Sequence, residues 1–378
     1  MPIFVITYKE QRMDIAPLAS WPIQTDHPII IAGPCSAETP EQVMQTAIEL
    51  GKSGKVNLFR SGIWKPRTRP GSFQGIGEPA LEWLVEAGKA SGIPTTTEVA
   101  NAQHVEACLK AGVDVLWIGA RTTVNPFSVQ EIADALKGVD IPVIIKNPIN
   151  PDLQLWIGAV ERFLNNGLNK LMVMHRGFSS PNPGIYRNAP MWEIPIELKA
   201  LHPDLPIICD PSHITGKREL LLDVAQKAMD LGMHGLMIET HPTPEKAWSD
   251  ARQQVTPERF VELVDHLQLR TENVDQTSSA DLSGLRARID DIDTHIIQLL
   301  KDRMELITEI GEYKKDHGLT ILQLERWKEI LETRSALAKK LGLQEDFVRR
   351  YLETVHKASI KEQSRIMNEG QEDQVMWS

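Results

Sequence analysis

The stretch PIICDPSHITGKRELLLDVAQKAMDLGMHGLMIE, residues 206–239, carries the reading on which the fold turns. A short apolar run, Pro206–Cys209, leads into the polar turn Asp210-Pro211-Ser212-His213. Arg218–Leu231 then shows helical periodicity, and a second apolar run, Gly235–Ile238, closes on Glu239. Strand, loop, helix and strand in this order make a β/α unit with parallel strands. The same rhythm extends upstream through short apolar or β-branched runs at Ile29–Ala32, Val56–Phe59, Pro94–Thr97, Val115–Ile118, Pro142–Ile145 and Lys170–Met174. Helical segments such as Glu41–Lys52 and Pro79–Lys89 separate them. Eight alternations in about 240 residues predict an α/β fold of the (β/α)8 barrel type. An open doubly wound sheet is the competing arrangement, but no GxGxxG turn follows the first strand.

At 378 residues the chain exceeds one ordinary domain, and 42% hydrophobic with 24% charged residues is soluble-protein composition. No apolar run reaches membrane-spanning length and no signal peptide opens the chain, so no membrane association and a cytoplasmic location are expected. Cys35, Cys108 and Cys209 are too few and too scattered for a disulfide framework. A net charge of −10 argues against a nucleic-acid partner. Against that acidic background Arg60, Lys65, Arg67 and Arg69 crowd into ten residues, which points to a small-anion site.

The expected organisation is an N-terminal extension over 1–24, the barrel over 25–267, a polar linker over 268–282, a helical domain over 283–369 and a tail over 370–378. Met13 offers a second start, which would make residues 1–12 dispensable or an extra strand. In the helical part Leu285, Ile289, Ile292, Ile296, Leu299, Leu306, Ile310 and Tyr313 recur at spacings of 4 and 3, the seam of a long packed helix that ends at His317-Gly318. Two further helices are expected near Leu322–Leu341 and Gln344–Glu369.

Barrel active sites gather beyond the C-terminal ends of the strands. Those positions hold Gly33-Pro34-Cys35-Ser36, Arg60 with Lys65-Pro66-Arg67-Thr68, Gly119-Ala120-Arg121, Lys146, His175-Arg176-Gly177, Asp210-Pro211-Ser212-His213, and Glu239 followed by Asp250. Arg60, Lys65, Arg121, Lys146 and Arg176 set cations around one rim, as a trianionic substrate such as phosphoenolpyruvate requires. Arg67 and Thr68 suit a second phosphate. One alone of these bases would be read as solvated; their recurrence at successive strand ends reverses that. Cys35, His213, Glu239 and Asp250 offer a thiol, an imidazole and two carboxylates, a donor set for a divalent metal. Cys108 and Cys209 lack such company and are read as core. A Schiff-base aldolase using Lys146 would leave those metal-type residues idle.

These motifs together, over about residues 25–267, resemble the type I, beta-like 3-deoxy-D-arabino-heptulosonate 7-phosphate (DAHP) synthases. The resemblance implies that phosphoenolpyruvate meets Arg60, Lys65, Arg121, Lys146 and Arg176, and that erythrose 4-phosphate meets Arg67 and Thr68. It also implies a divalent ion, Mn2+ first, with Fe2+, Co2+, Zn2+ and Cd2+ as alternatives, that polarises the aldehyde while Lys65 donates a proton. Arg69-Pro70-Gly71 departs from the Ser-Pro-Tyr more usual in that branch, which bears on the aldose phosphate pocket. The sister 3-deoxy-octulosonate 8-phosphate synthases carry a Lys-Ala-Asn-Arg loop where this chain has Lys65-Pro66-Arg67-Thr68, so the four-carbon aldose is favoured.

In the helical part Arg303 interrupts the apolar seam, and a buried arginine costs several kcal/mol unless an anion pairs with it. Lys314 lies about three turns on, along the same face, whereas Arg286 points about 100° away. Ser359 and Gln363, at i and i+4, share a face of the last helix. A helix from Ser283 to Lys315, about 50 Å long, overshoots a small bundle and asks for a second chain along its seam. A dimerising coiled coil with one polar seam residue is the plainer reading of the same pattern. Leu285-Arg286, Arg303, Ile310-Gly311-x-x-Lys314, Arg326 and Ser359-x-x-x-Gln363 resemble the all-helical chorismate mutases over about residues 280–367. That resemblance implies an intertwined homodimer, with a tetramer as a further option. Arg286 of one chain would complete the pocket of Arg303, Lys314, Arg326, Ser359 and Gln363 in the other, with Lys314 and Gln363 on the ether oxygen. Chorismate would be substrate and prephenate product; because the two activities are not consecutive, chorismate or prephenate is expected to inhibit the barrel as feedback. Gln323 and Trp327 stand where acidic groups usually hold the substrate hydroxyl, which would weaken its binding or pass it to Gln323, and would slow the mutase or leave it a sensor.

Overall fold

A computed structural model describes residues 12–23, 28–66, 71–270 and 276–368, with the side chains of 276–281 left aside. Two compact units divide the chain between Glu272 and Asn273.

In the first unit eight parallel strands close into a barrel: β1 Ile29–Gly33, β2 Leu58–Arg60, β3 Thr95–Val99, β4 Val115–Ile118, β5 Val143–Lys146, β6 Leu171–His175, β7 Ile207–Cys209 and β8 Gly235–Glu239. Each expected run lies on a strand, displaced by two residues or fewer at either end. Closure is made by β1 against β8, in register from Ile29 opposite Gly235 to Gly33 opposite Glu239. Strands covered on both faces read as continuous apolar runs, and here almost every strand residue is buried.

The two faces of the barrel sheet bury separate clusters. Ile30, Ala32, Phe59, Leu116, Ile118, Val143, Ile145, Leu171 and Val173 point outward under the helices. Ile29, Ile31, Leu58, Val115, Trp117, Ile144, Met172, Met174, Ile208 and Met237 fill the interior. Side chains alternate along a strand, so the next inward positions beyond Leu58, Ile144, Ile208 and Met237 are Arg60, Lys146, Asp210 and Glu239. Strand parity alone therefore aims these charged groups into the mouth.

Trp21 from the segment before β1 is 5% exposed and joins the interior cluster with Leu18 and Ile23, while Met13 and Ile15 pack on the outer core. Residues 13–23 are thus part of the barrel's packing, and the boundary expected at 24/25 falls too late. The expected dispensable extension, 1–12, lies outside the described residues except for Arg12.

The second unit has three helices, Gln276–Asp316, Leu324–Lys340 and Glu345–Asn368. The first begins within the stretch expected as linker: Thr277, Ser278 and Ser279 are helical although polar. At 41 residues it is about 60 Å long. It ends where expected, with Gly318 at φ +64° and the Leu319 amide donating to the Lys314 carbonyl. Gly311 lets the last helix approach, since a Cβ there would come within 2.7 Å of Ile366 Cδ1. The expected seam residues Leu285, Ile289, Ile292, Ile296, Leu299, Leu306, Ile310 and Tyr313 are all exposed in the single chain.

Candidate active sites

At the barrel mouth Arg60 and Lys146 both reach over the buried Trp117 ring, 4.9 and 5.5 Å from its centroid. Each has a carboxylate: Arg60 Nη1 lies 2.7 Å from Glu239 Oε1, and Lys146 Nζ 2.9 Å from Asp210 Oδ2. Arg60 Nη2 and Lys65 Nζ both donate to the Cys35 carbonyl, at 3.0 and 2.8 Å. Gly33 makes this crossing possible. Its φ is +148°, and a Cβ would collide with the Arg60 carbonyl oxygen.

Arg176 differs from the other buried cations. Its guanidinium donates to the Gly177 carbonyl at 3.3 Å and meets no carboxylate among the described residues. Burial pushes it down to about 10. Arg121 is exposed, and its charge is felt at Arg176. Four of the expected phosphoenolpyruvate ligands come from β2, β5 and the loops after β4 and β6, with Lys65 on the loop after β2. Arg67 and Thr68, the expected erythrose 4-phosphate ligands, lie outside the described residues.

The four expected metal ligands stand as two pairs. Cys35 Sγ is 3.3 Å from Asp250 Oδ2, and His213 Nε2 is 3.7 Å from Glu239 Oε1. Among the described residues no three His, Cys, Asp or Glu side chains form a cluster ready to hold a metal ion. Cationic and amide groups engage them instead. Lys65 Nζ sits 2.8 Å from Cys35 Sγ, Arg187 Nη1 2.9 Å from Asp250 Oδ1, and Gln253 Nε2 2.7 Å from Glu239 Oε2.

The chemistry of the set nevertheless fits a divalent cation. His213 Nδ1 lies 2.8 Å from Asp210 Oδ2, the carboxylate contact that orients an imidazole to ligate through Nε2. Burial works to raise the Glu239 and Asp250 carboxyls, but His213 and Arg60 outweigh it at Glu239, and Arg187 and Lys65 at Asp250, so both stay below the usual range. Burial, followed by the charge of Glu239, pushes the Cys35 thiol up to about 12. A buried thiol beside two carboxylates that repel its ionised form is a place where added positive charge is stabilising. Cys108 and Cys209 are buried, as expected of core.

Two mouth residues escaped the sequence reading. Arg187 arrives on the long loop after β6 and also contacts Gln253 Oε1 at 2.8 Å. Glu98, near the end of β3, accepts from Trp117 Nε1 at 2.9 Å and would be struck by any Cβ at Gly119. The inward parity of β3 was the available signal for Glu98. Nothing in the pattern around Arg187 marks it.

In the helical unit Arg303 Nη1 donates to Ser359 Oγ at 2.8 Å, and Lys314 Nζ to Gln363 Oε1 at 3.0 Å and to the Ile321 carbonyl at 2.6 Å. Lys314, Ser359 and Gln363 are buried. Arg303, Lys314, Ser359 and Gln363 therefore come together within one chain. Arg286 and Arg326 do not join them. Arg286 is exposed about 25 Å up the helix from Arg303, and Arg326 is exposed and paired with Glu329 at 2.6 Å.

A closed parallel barrel with buried cations and carboxylates at its mouth has the arrangement of a (β/α)8 enzyme. The chain belongs to the DAHP synthetase I family, whose model matches residues 17–276, and residues 285–364 match the chorismate mutase type II family. It is 36% identical over 238 residues to the phospho-2-dehydro-3-deoxyheptonate aldolase of Thermotoga maritima, spanning 63% of this chain and 68% of that protein. The 2-dehydro-3-deoxyphosphooctonate aldolase of Dechloromonas aromatica is 28% identical over 245 residues, 58% of this chain and 83% of that one. The crystal structure of the Thermotoga maritima DAHP synthase superposes with a TM-score of 0.57 at 34% identity, covering 63% of this chain and 67% of that one. A truncated form of that enzyme covers 67% and 90%, at 30% identity and the same TM-score. The protein thus carries a DAHP synthase domain and a chorismate mutase domain, both enzymatic. The synthase family is generally dependent on a divalent metal. Among the described residues no helix is long and apolar enough to cross a membrane.

Proposed function

We propose that the barrel binds phosphoenolpyruvate through Arg60, Lys65, Arg121, Lys146 and Arg176 and joins it to erythrose 4-phosphate held by Arg67 and Thr68. The observation that carries this reading is Arg176, a buried guanidinium with no carboxylate in ion-pair contact among the described residues, whose desolvation an anionic substrate would offset. Cys35, His213, Glu239 and Asp250 would hold a divalent ion, Mn2+ by preference, which when bound supplies Lewis-acid polarisation of the aldehyde oxygen. Arg60 and Lys146, fixed against Trp117 by Glu239 and Asp210, set the anion's position before reaction. Lys65, with Nζ at the Cys35 thiol, stands where it can donate a proton to the alkoxide formed on C–C bond formation. The decisive assay is kcat/KM with erythrose 4-phosphate against arabinose 5-phosphate. Preference for the five-carbon sugar would overturn the aldose assignment.

In the helical unit the same proposal assigns the chorismate carboxylates to Arg303, to Arg326 and to Arg286 from a second chain, and the ether oxygen to Lys314 and Gln363. A pericyclic rearrangement needs the reactive conformer held and oxygen charge stabilised, with no nucleophile. The exposed apolar seam of the long helix, with Ile292 58% and Leu299 66% exposed, supports a homodimer through this unit. Heptulosonate phosphate is not the mutase substrate, so direct transfer of product does not account for the fusion; feedback does. Prephenate or chorismate bound by the helical dimer would restrain the barrel. Three buried free thiols accord with a cytoplasmic protein.

A further inference from the structure

His356 was not among the residues that the sequence patterns singled out. It sits on the last helix three residues before Ser359 and seven before Gln363, so the three share one helix face. Its ring stacks on Trp327 of the middle helix, with centroids 4.0 Å apart and planes within 8°. Its Nε2 is buried and has no hydrogen-bond partner among the described residues. In this unit only Ser335 Oγ shares that condition. Burial, then the charges of Arg303 and Lys314, holds the imidazole below its ordinary range, so it is neutral at physiological pH.

A buried polar nitrogen left unpaired costs about 1–3 kcal/mol, and such a cost in a pocket is offset when a ligand supplies the missing partner. The groups already around the pocket leave one requirement unmet. Arg303 and Lys314 are cations suited to carboxylates and an ether oxygen, and Ser359 and Gln363 are already engaged by them. The ring hydroxyl of chorismate needs a neutral partner that can donate or accept, and a neutral imidazole is one. We infer that His356 is a substrate-binding residue of the mutase site, its Nε2 hydrogen-bonding the ring hydroxyl of chorismate, with Trp327 fixing the imidazole by stacking. The inference rests on the mutase reading of this unit and adds a specificity contact to it. It also gives Trp327, which replaces an expected acidic group, a positioning part in hydroxyl recognition.

The test uses the full-length chain and two substrates, chorismate and its analogue lacking the ring hydroxyl. His356→Phe keeps a ring on Trp327 and removes both nitrogens. It should lower kcat/KM for chorismate about tenfold while changing that for the analogue by less than about twofold. His356→Gln, which retains a donor and an acceptor, should recover part of the loss on chorismate. Trp327→Leu should raise KM for chorismate more than for the analogue, with kcat less affected. An equal loss on both substrates in His356→Phe, or no loss on chorismate, overturns the proposal. If His356→Phe loses its helical circular dichroism, the comparison of substrates in His356→Gln and Trp327→Leu decides alone, and equal effects on both overturn it. Absence of mutase turnover in the wild-type chain would instead remove the reading on which the inference stands.

Discussion

The barrel mouth and the helical unit both gather cations, yet these are held differently. The barrel's cations are aimed by strand parity inside a closed sheet, and Arg60 and Lys146 have carboxylates that hold them before any substrate arrives. A closed barrel has no edge that a second chain must cover. The helical pocket joins Arg303 to Ser359 and Lys314 to Gln363 but leaves Arg286, Arg326 and a whole apolar seam exposed. Three helices of unequal length bury only part of the longest. One cation cluster is thus held within a closed sheet, and on the proposed reading the other is completed by a second chain.

The sharpest attack on the barrel half is to remove its metal chemistry. Cys35→Ala, or treatment of the wild-type protein with a chelator, should reduce condensation about a thousandfold or more. Chorismate turnover should be unaffected. Condensation that survives chelation would refute the ligand assignment of Cys35, His213, Glu239 and Asp250.

How far this was legible follows from the same physics. Parallel strands buried on both faces leave apolar runs that can be found without structure, which is why β1 to β8 were all anticipated. Their ends were read short at Arg60, Lys146, His175 and Glu239 because a polar residue closing an apolar run looks like loop. Inward parity explains why Arg60, Lys146 and Glu239 continue their strands. Arg187 was not legible: it reaches Asp250 from the middle of a Pro- and Asn-rich loop with no periodicity. Trp21 was not either, since a plug entering from outside the sheet leaves no strand or helix pattern. The helical start at Gln276 was hidden by Thr277-Ser278-Ser279, whose low propensity the continuing helix overrides. Stacking of His356 on Trp327 joins separate helices and has no signature in spacing.

Trp21 supplies the next test of the barrel half. If residues 13–23 are part of the barrel, Trp21→Ala should destabilise the first unit by about 3–5 kcal/mol, the range for truncating a large buried aromatic. Urea unfolding followed by near-ultraviolet circular dichroism would measure it. A shift under about 1 kcal/mol would return the segment to the status of an appendage.

The other half is tested by mixing chains. Arg286→Ala and Arg303→Ala should each lower mutase kcat/KM about a hundredfold, since each removes a charge-assisted contact to substrate. A purified hybrid of the two variants should recover about half the wild-type turnover if Arg286 acts across the dimer, because one of its two sites then holds both arginines. A hybrid no better than its parents places Arg286 in the pocket of its own chain, or in none.

The smallest expected effect links the two halves. Coupling between distinct sites is typically worth about 1–3 kcal/mol and is reciprocal for binding. Prephenate should therefore weaken substrate binding at the barrel by about five- to 150-fold, and phosphoenolpyruvate should weaken prephenate binding by the same factor. A chain ending at Leu267 should lose the response. It would keep β1 to β8 and every candidate metal ligand, so its condensation activity reports the barrel without its partner unit. Arg303→Ala in the full chain supplies the complementary case, with the helices present and the ligand site disabled. Feedback that requires ligand binding predicts the same insensitivity in both. If the shortened chain is insensitive but Arg303→Ala still responds fully, prephenate acts elsewhere, and the helical pocket is an enzyme without a regulatory part. If the shortened chain and the full chain respond alike, the ligand acts on the barrel itself, and the fusion serves some purpose other than feedback.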